Sequence, residues 1–279
     1  MQNKESVVQY EYLLPRLIRW TKGGEDVRDD RFWIGLSLLA LGLLGILGYF
    51  VLTRSAPTAA LTAGRPVVVI DPGHGGEDGG AVAPDGTEEA DINLAVARRL
   101  DLLLRFLGRD TLLLRESDVS LHDPSASTIR EKKVSDIHNR VDRVNAQESP
   151  VLISIHQNFF PSSKYHGAQV FYGGHPQSQP WAEVTRGNLR SCLDPDNKRE
   201  AKPIDRGIYL MNHISCPALL IECGFLSNPE ERCLLKGGDY QTAQAVVIAG
   251  SYIQRTQEKV ETVHVSQGEE SILLHPMRE

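Results

Sequence analysis

Two histidines and two glutamates lie where this sequence changes from one regular pattern to another. His74 and His156 each follow a short β-branched apolar run, Glu222 ends another such run, and Glu89 stands at the start of a helical pattern. Imidazole nitrogens and carboxylate oxygens are ligands that suit Zn²⁺. A single histidine after a strand is usually a hydrogen-bonded structural residue, but two of them with acidic companions indicate a metal site.

The segment that contains His74 is a glycine-rich turn with the sequence DPGHGG at 71–76. Glycine keeps side chains away from the point where a ligand leaves a strand, so a metal and its substrate have room beside the backbone. A dinucleotide-binding turn would need its third glycine at position 78, which is Asp78, and a phosphate-binding loop would need Gly-Lys-Ser/Thr. Spacing therefore argues against both of these alternatives.

Glu88 and Glu89 both open the first long helical pattern, where the helix dipole stabilises a carboxylate whether or not it binds a metal. Glu89 precedes Ile92 by three residues and Val96 by seven, so it continues the apolar stripe of that helix. Glu88 fits a solvated helix start. We therefore predict that Glu89 is the ligand of the two.

His74, Glu89 and His156 together would leave one position of a tetrahedral metal open, as in catalytic rather than structural zinc sites. A further carboxylate must then take a proton from the attacking water and pass it to the leaving amine. Glu222 is the candidate, because it ends a very apolar strand where partial desolvation would raise its pKa. The alternative for Glu222 is a salt-bridged carboxylate at a strand end.

The elements that must position these residues alternate along the chain. Apolar β-branched runs predict strands, and amphipathic or buried periodic stretches predict helices between them. The predicted strands are 67–71, 111–115, 151–155, 168–172, 207–211 and 218–222, and the predicted helices are 90–107, 130–147 and 241–254. This order predicts an α/β fold, a twisted and mostly parallel sheet of about six strands with helices on both faces. In such sheets ligands bind at the carboxyl ends of the strands.

The run 32–52 contains no charged residue and is long enough to cross a bilayer as a helix. Six Lys/Arg precede it, so the positive-inside rule places the lead 1–31 in the cytoplasm and the rest of the chain outside. We therefore predict one N-terminal transmembrane helix, which makes the chain a single-pass cell-membrane protein with its catalytic domain outside the cytoplasm. The alternative is late cleavage of a signal segment, which would release a secreted form.

The remaining sequence divides into a short linker at 53–65, a catalytic domain at 66–255 and a loosely ordered polar tail at 256–279. The net charge of −6 argues against nucleic acid as a partner. The four cysteines lack any Cys-x-x-Cys pair, so zinc-finger spacing is absent. Disulfides and free thiols both remain open for these cysteines.

Four motifs occur in order along the predicted domain: VIDPGHGG at 69–76, E-x-x-x-x-L at 89–94, SIH-x-N at 154–158 and E-x-GFLSN at 222–228. Through them the chain resembles the zinc-dependent N-acetylmuramoyl-L-alanine amidases over about 67–254. The resemblance implies that His74, Glu89 and His156 bind Zn²⁺ and that Glu222 is the catalytic glutamate. It also gives Asn158 and Arg115 substrate-binding or supporting roles.

The same resemblance implies the reaction, which is hydrolysis of the amide between the lactyl group of N-acetylmuramic acid and the L-alanine of the peptidoglycan stem. Segments 167–172 and 201–210 look like those of germination-specific, spore-cortex members of the family, which act with a muramic acid deacetylase to form muramic lactam. Gln157, inside the SIH-x-N motif, departs from the family pattern.

The expected partners are therefore peptidoglycan, the muramic acid deacetylase and, through the predicted helix, the membrane. Two other hypotheses for the function are a catalytically silent peptidoglycan-binding or regulatory module and a zinc peptidase that cuts within the stem peptide.

Overall fold

The computed structural model describes residues 66–273, with side chains to Thr256, and two isolated residues, Ile34 and Gly42. The predicted lead, anchor and linker therefore lie outside the described residues apart from those two positions, and so does the end of the predicted tail, 274–279. No helix within the described part of the chain is both long and apolar enough to span a bilayer. The membrane anchor at 32–52 stays a prediction.

The described chain forms one six-stranded sheet with six helices around it. The strands are β1 (Val68–Pro72), β2 (Thr111–Leu113), β3 (Val151–Asn158), β4 (Gln169–Tyr172), β5 (Lys202–Pro203) and β6 (Ala218–Phe225). The helices are α1 (Glu89–Phe106), α2 (Ile129–Asn145), α3 (Ser178–Leu193), α4 (Tyr209–Asn212), α5 (Pro229–Lys236) and α6 (Gly238–Leu273). The strand order is β2-β1-β3-β6-β4-β5, and every neighbouring pair is parallel except β4 and β6. The predicted α/β fold with a mostly parallel sheet is confirmed.

The central strands β1, β3 and β6 are apolar on both faces because helices cover both sides of the sheet. Side chains at alternate positions of these strands lie on opposite faces of the sheet and pack into two separate cores. On one side Ile70, Ile153 and Leu219, which pair across the strands, pack under α1, α3 and α6. On the other side Val69 and Leu152 pack against α2 and α4. The prediction of helices on both faces is therefore also confirmed.

One predicted strand is wrong. The run 207–211 is a turn followed by helix α4, because Asp205 accepts hydrogen bonds from the main-chain nitrogens of Gly207 and Ile208 and so bends the chain at this point. Leu210 and Met211 are then buried on one side of α4, where a strand would have divided them between two faces. The short β5 takes the sixth place in the sheet.

Three helical features were not predicted from the sequence. Helices α3 and α5 lie in stretches for which no element was predicted. Helix α6 begins at Gly238 and continues through Leu273, past the predicted end at 254 and into the stretch predicted as a loosely ordered tail. No proline interrupts α6, so nothing in its sequence stops the helix where its apolar pattern fades.

A buried ion pair fixes α2 to the carboxyl end of the sheet. Asp71 of β1 accepts hydrogen bonds from Arg140 of α2 and from Ser154 of β3, the latter at 2.7 Å. Asp71 and Arg140 are 1% and 2% exposed. Burial opposes ionisation of Asp71, but Arg140 and Ser154 outweigh it and hold the pKa of the carboxyl below its ordinary value. Both groups are thus charged in the interior, and each depends on the other.

We predict that Arg140→Met lowers the free energy of unfolding by about 3–5 kcal/mol, because it leaves the Asp71 carboxylate buried without its cation. Urea denaturation of the purified chain measures this change. Arg130→Met on the same helix is the matched control, since Arg130 is exposed and its loss should change stability by less than about 0.5 kcal/mol. A loss below about 1 kcal/mol for Arg140→Met would contradict the structural importance of the pair.

Candidate active site

The predicted site residues converge at the carboxyl edge of the sheet. His156 of β3 lies directly opposite Glu222 of β6 in the parallel register, and His74 follows the end of the neighbouring strand β1. Glu89 is the first residue of α1. These four side chains, together with Asn158, line one cavity of about 580 Å³. Parallel strands place their ends at one edge, which explains how residues far apart in the chain meet.

Three of these side chains point potential ligand atoms at one another. Glu89 Oε1 lies 2.9 Å from His156 Nδ1 and 3.3 Å from His74 Nε2. One ligand atom from each of the three residues falls within 4.8 Å of the others, and the two imidazole rings meet edge to face with centroids 5.1 Å apart. Two imidazoles and one carboxylate at this spacing can hold a metal ion with an open coordination position.

Backbone strain and glycine make room for this grouping. His74 has φ of 61°, a left-handed conformation that is unusual for a residue other than glycine and that often occurs at functional sites. A Cβ on Gly73 would lie 2.2 Å from Cε1 of His156, and one on Gly80 would lie 2.6 Å from Oε2 of Glu89. Any larger residue at these two positions would displace a potential ligand.

Asp78 orients the His74 ring. His74 Nδ1 lies 2.9 Å from Asp78 Oδ2, which directs Nε2 towards Glu89 and the cavity. Lys133 holds the other oxygen of Asp78 at 2.9 Å. Burial lowers the pKa of His74, but hydrogen bonds to Asp78 and Glu89 outweigh it and raise that pKa to about 10. Such negative surroundings favour any cation at Nε2, and a carboxylate behind a ligating histidine is a recurrent support in metal sites.

Arg115 supports the turn that carries His74. Its guanidinium donates hydrogen bonds to the carbonyl oxygens of Pro72, Gly73 and Ala90 at 2.8–3.0 Å, and the residue is 2% exposed. Arg140 donates to the carbonyl oxygen of His74 at 2.8 Å. Arg115 is not among the residues that line the cavity, so its contacts suit a supporting role better than contact with a substrate.

Glu222 has a carboxylate oxygen in the cavity that is left free for proton transfer. Its Oε2 is buried and has no hydrogen-bond partner among the described residues. Burial raises the pKa of Glu222 to about 7, although the nearby imidazole of His156 acts in the opposite direction. A carboxyl group with a pKa near neutrality can both accept and donate a proton at physiological pH. Beside three potential metal ligands, such a group can perform metal-assisted hydrolysis.

The sequence reasoning missed several residues of the site. The sequence identifies Asp78 only as a residue that rules out a dinucleotide-binding motif. Its spacing of four residues from His74 could have indicated that the two side chains interact. Arg140 and Asn93 lie within helical patterns, where no signal distinguishes them from ordinary polar positions. Asn158 lines the cavity, and its carbonyl oxygen accepts a hydrogen bond from the main-chain nitrogen of Leu226 at 2.8 Å.

Comparison with known proteins agrees with this class of site. Residues 68–251 match the family described as N-acetylmuramoyl-L-alanine amidase. The chain is 37% identical over 235 residues to the germination-specific N-acetylmuramoyl-L-alanine amidase of Bacillus subtilis. The matched region covers 84% of this chain and 98% of that protein.

Two solved structures have the same fold. The CwlD amidase from Clostridioides difficile, in complex with the GerS lipoprotein, is 37% identical with a TM-score of 0.67 over 69% of this chain and 99% of that chain. The catalytic domain of CwlV, an amidase from Bacillus (Paenibacillus) polymyxa var. colistinus, is 27% identical with a TM-score of 0.57 over 69% of this chain and 98% of that chain.

The chain therefore belongs to the N-acetylmuramoyl-L-alanine amidase family. Its activity is that of an N-acetylmuramoyl-L-alanine amidase, and the hypothesis of a catalytically silent module is set aside.

We predict that Asp78→Ala lowers the affinity of the site for a divalent metal by about 10- to 100-fold, because His74 loses the partner that fixes its tautomer and ring direction. Competition with a chromogenic chelator, using Zn²⁺ as the probe, measures the affinity. Lys133→Ala is the matched control, since it removes the other partner of Asp78 and leaves the contact with His74. Equal affinities in the two variants would show that Asp78 does not orient the ring.

Proposed function

We propose that this amidase is zinc-dependent and hydrolyses the amide between the lactyl group of N-acetylmuramic acid and the L-alanine of the stem peptide. The observation that carries the proposal is the grouping of His74, Glu89 and His156, with ligand atoms within 4.8 Å, in the same cavity as Glu222. No other group of three His, Cys, Asp or Glu within the described residues has this spacing.

The donor set fits Zn²⁺ in three respects. Two imidazoles and one carboxylate suit its borderline character, the grouping leaves a position open for substrate, and the glycines at 73 and 80 leave space around the ligands. Zinc, when bound there, supplies Lewis acidity that polarises the scissile carbonyl and acidifies water. Asp78 keeps the proton of His74 on Nδ1, so that Nε2 is available as a ligand.

Glu222 moves the protons of the reaction. Its free carboxylate oxygen, Oε2, takes a proton from the attacking water as the new C–O bond forms. The same oxygen then gives that proton to the L-alanine nitrogen as the C–N bond breaks, so the amine leaves neutral. Burial raises the pKa of Glu222 above that of an ordinary glutamate, which favours its donating the proton after accepting it.

We propose spore-cortex peptidoglycan as the substrate and the space outside the cytoplasm as the location. The 37% identity to a germination-specific amidase supports the first, and the uncharged run 32–52 with basic residues before it supports the second. The partner predicted from the sequence is a muramic acid deacetylase in the same pathway. The CwlD structure contains the GerS lipoprotein, so a lipoprotein is a further candidate partner.

We predict that Glu222→Gln keeps bound zinc and lowers kcat by about 10²- to 10⁴-fold, because the amide cannot carry the proton. Metal content by atomic absorption and turnover on purified peptidoglycan measure the two effects. Glu88→Gln is the control, since Glu88 is exposed and adjoins the proposed ligand Glu89. Near-normal turnover in Glu222→Gln would remove Glu222 from the mechanism, and loss of zinc would make it a ligand.

We predict that digestion of peptidoglycan by the purified chain releases intact stem peptides with a free L-alanine amine. A chelator should abolish this release, and added Zn²⁺ should restore it. Mass spectrometry of the fragments distinguishes the reactions, since a peptidase would leave shortened stems attached to the glycan. Activity that persists after removal of metal to below one tenth of the protein concentration would contradict the zinc requirement.

A further inference from the structure

Gln157 stands between the proposed ligand His156 and the cavity residue Asn158. Its side chain is buried, with 3% of the residue exposed. A buried glutamine is costly unless its amide is hydrogen-bonded. The partners of this amide therefore show what the residue does.

Gln157 makes two contacts towards the metal site. Its main-chain nitrogen donates to Glu89 Oε1 at 3.1 Å. Its side-chain Nε2 donates to Oδ1 of Asn93 at 3.2 Å, and Asn93 is completely buried one helical turn after Glu89. The side chain thus contacts Asn93, which in turn contacts Glu89.

Asn93 connects two of the proposed ligands. Its Nδ2 lies 3.3 Å from Glu89 Oε1 and 3.2 Å from the carbonyl oxygen of Gly73, the residue before His74. A carbonyl oxygen and an ionised carboxylate accept hydrogen bonds but cannot donate them. The NH₂ end of Asn93 must therefore face these two groups. In the opposite orientation Oδ1 would face the Glu89 carboxylate and repel it.

The amide of Gln157 reinforces the orientation of Asn93 that Glu89 and Gly73 require. Nε2 of Gln157 is a donor, and it pairs with Oδ1 of Asn93 only when Nδ2 faces Glu89. The other end of the Gln157 amide, Oε1, is buried without a hydrogen-bond partner among the described residues. An unsatisfied buried acceptor opposes stability, so this end of the amide does not stabilise the fold.

We propose that Gln157 is a positioning residue that sets the metal affinity of the site by holding the Asn93 amide towards Glu89. The inference rests on the proposed function of His74, Glu89 and His156 as metal ligands. Gln157 acts on all three segments, through Asn93 on Glu89 and Gly73 and through its own main chain next to His156.

The test is the Zn²⁺ dissociation constant of Gln157→Met in the purified full-length chain, measured by chelator competition. Methionine has a similar volume and no donor, so Asn93 loses its fixed orientation and the dissociation constant should rise about 10-fold or more. The melting temperature of the metal-free chain should change little, because the variant removes the unsatisfied Oε1 but leaves the buried Oδ1 of Asn93 without its donor. At saturating Zn²⁺ kcat should recover.

The matched control is Gln241→Met. Gln241 is also buried and donates through Nε2 to the carbonyl oxygen of Leu235 at 2.8 Å, but it makes no contact with the site. This control should lose thermal stability and keep the Zn²⁺ affinity of the wild type. Gln157→Asn, whose amide is too short to reach Asn93, should weaken Zn²⁺ binding in the same direction and serves if the methionine variant does not fold.

Wild-type affinity in both Gln157 variants would overturn the positioning role while leaving the metal site intact. A lower melting temperature with unchanged affinity would give Gln157 a purely structural role and would also overturn it. Failure of the wild-type chain to bind Zn²⁺ would instead overturn the proposed metal site, and this inference with it.

Discussion

Two buried guanidinium groups hold the main chain that carries the first of the proposed metal ligands. Arg115 and Arg140 donate hydrogen bonds to the carbonyl oxygens of residues 72–74. His74 has a left-handed backbone, which costs free energy and persists only where its surroundings enforce it. The arginines supply this enforcement, because their rigid forks can bind several carbonyl oxygens at once. The direction of the His74 ring, and with it the spacing to Glu89 and His156, depends on this constraint.

Glu89, on the other side of the site, is also held by several hydrogen bonds. Its Oε2 accepts a hydrogen bond from the main-chain nitrogen of Ala81, and its Oε1 faces donors from Asn93, the main chain of Gln157 and His156. Burial alone would raise the pKa of Glu89, but its contacts with His156 and His74 hold it below the ordinary value. The carboxylate is thus charged and held in one orientation by these contacts, so little reorganisation is needed when a cation binds.

The sequence was sufficient to predict the residues at strand ends. His74, His156 and Glu222 could be placed together because strand direction alone brings the carboxyl ends of a parallel sheet to one edge. The run 207–211 could not be assigned in this way, since a short apolar run fits a strand or a buried helical turn equally well. Arg140 contacts Asp71 across 69 residues of chain, and in the sequence it is one more basic residue on a polar helix. Long-range polar contacts of this kind leave no local pattern, so the support of the site could be found only in three dimensions.

The two edges of the sheet have a consequence for the behaviour of the protein in solution. β2 has three residues and β5 only two, so each edge presents few unpaired main-chain groups. β5 consists of Lys202 and Pro203, both exposed. Lysine resists burial and proline has no N–H group, so this edge is a poor template for pairing with a strand of another molecule. These edges therefore disfavour edge-to-edge pairing between molecules, even though the central strands of the sheet are among the most apolar segments of the chain.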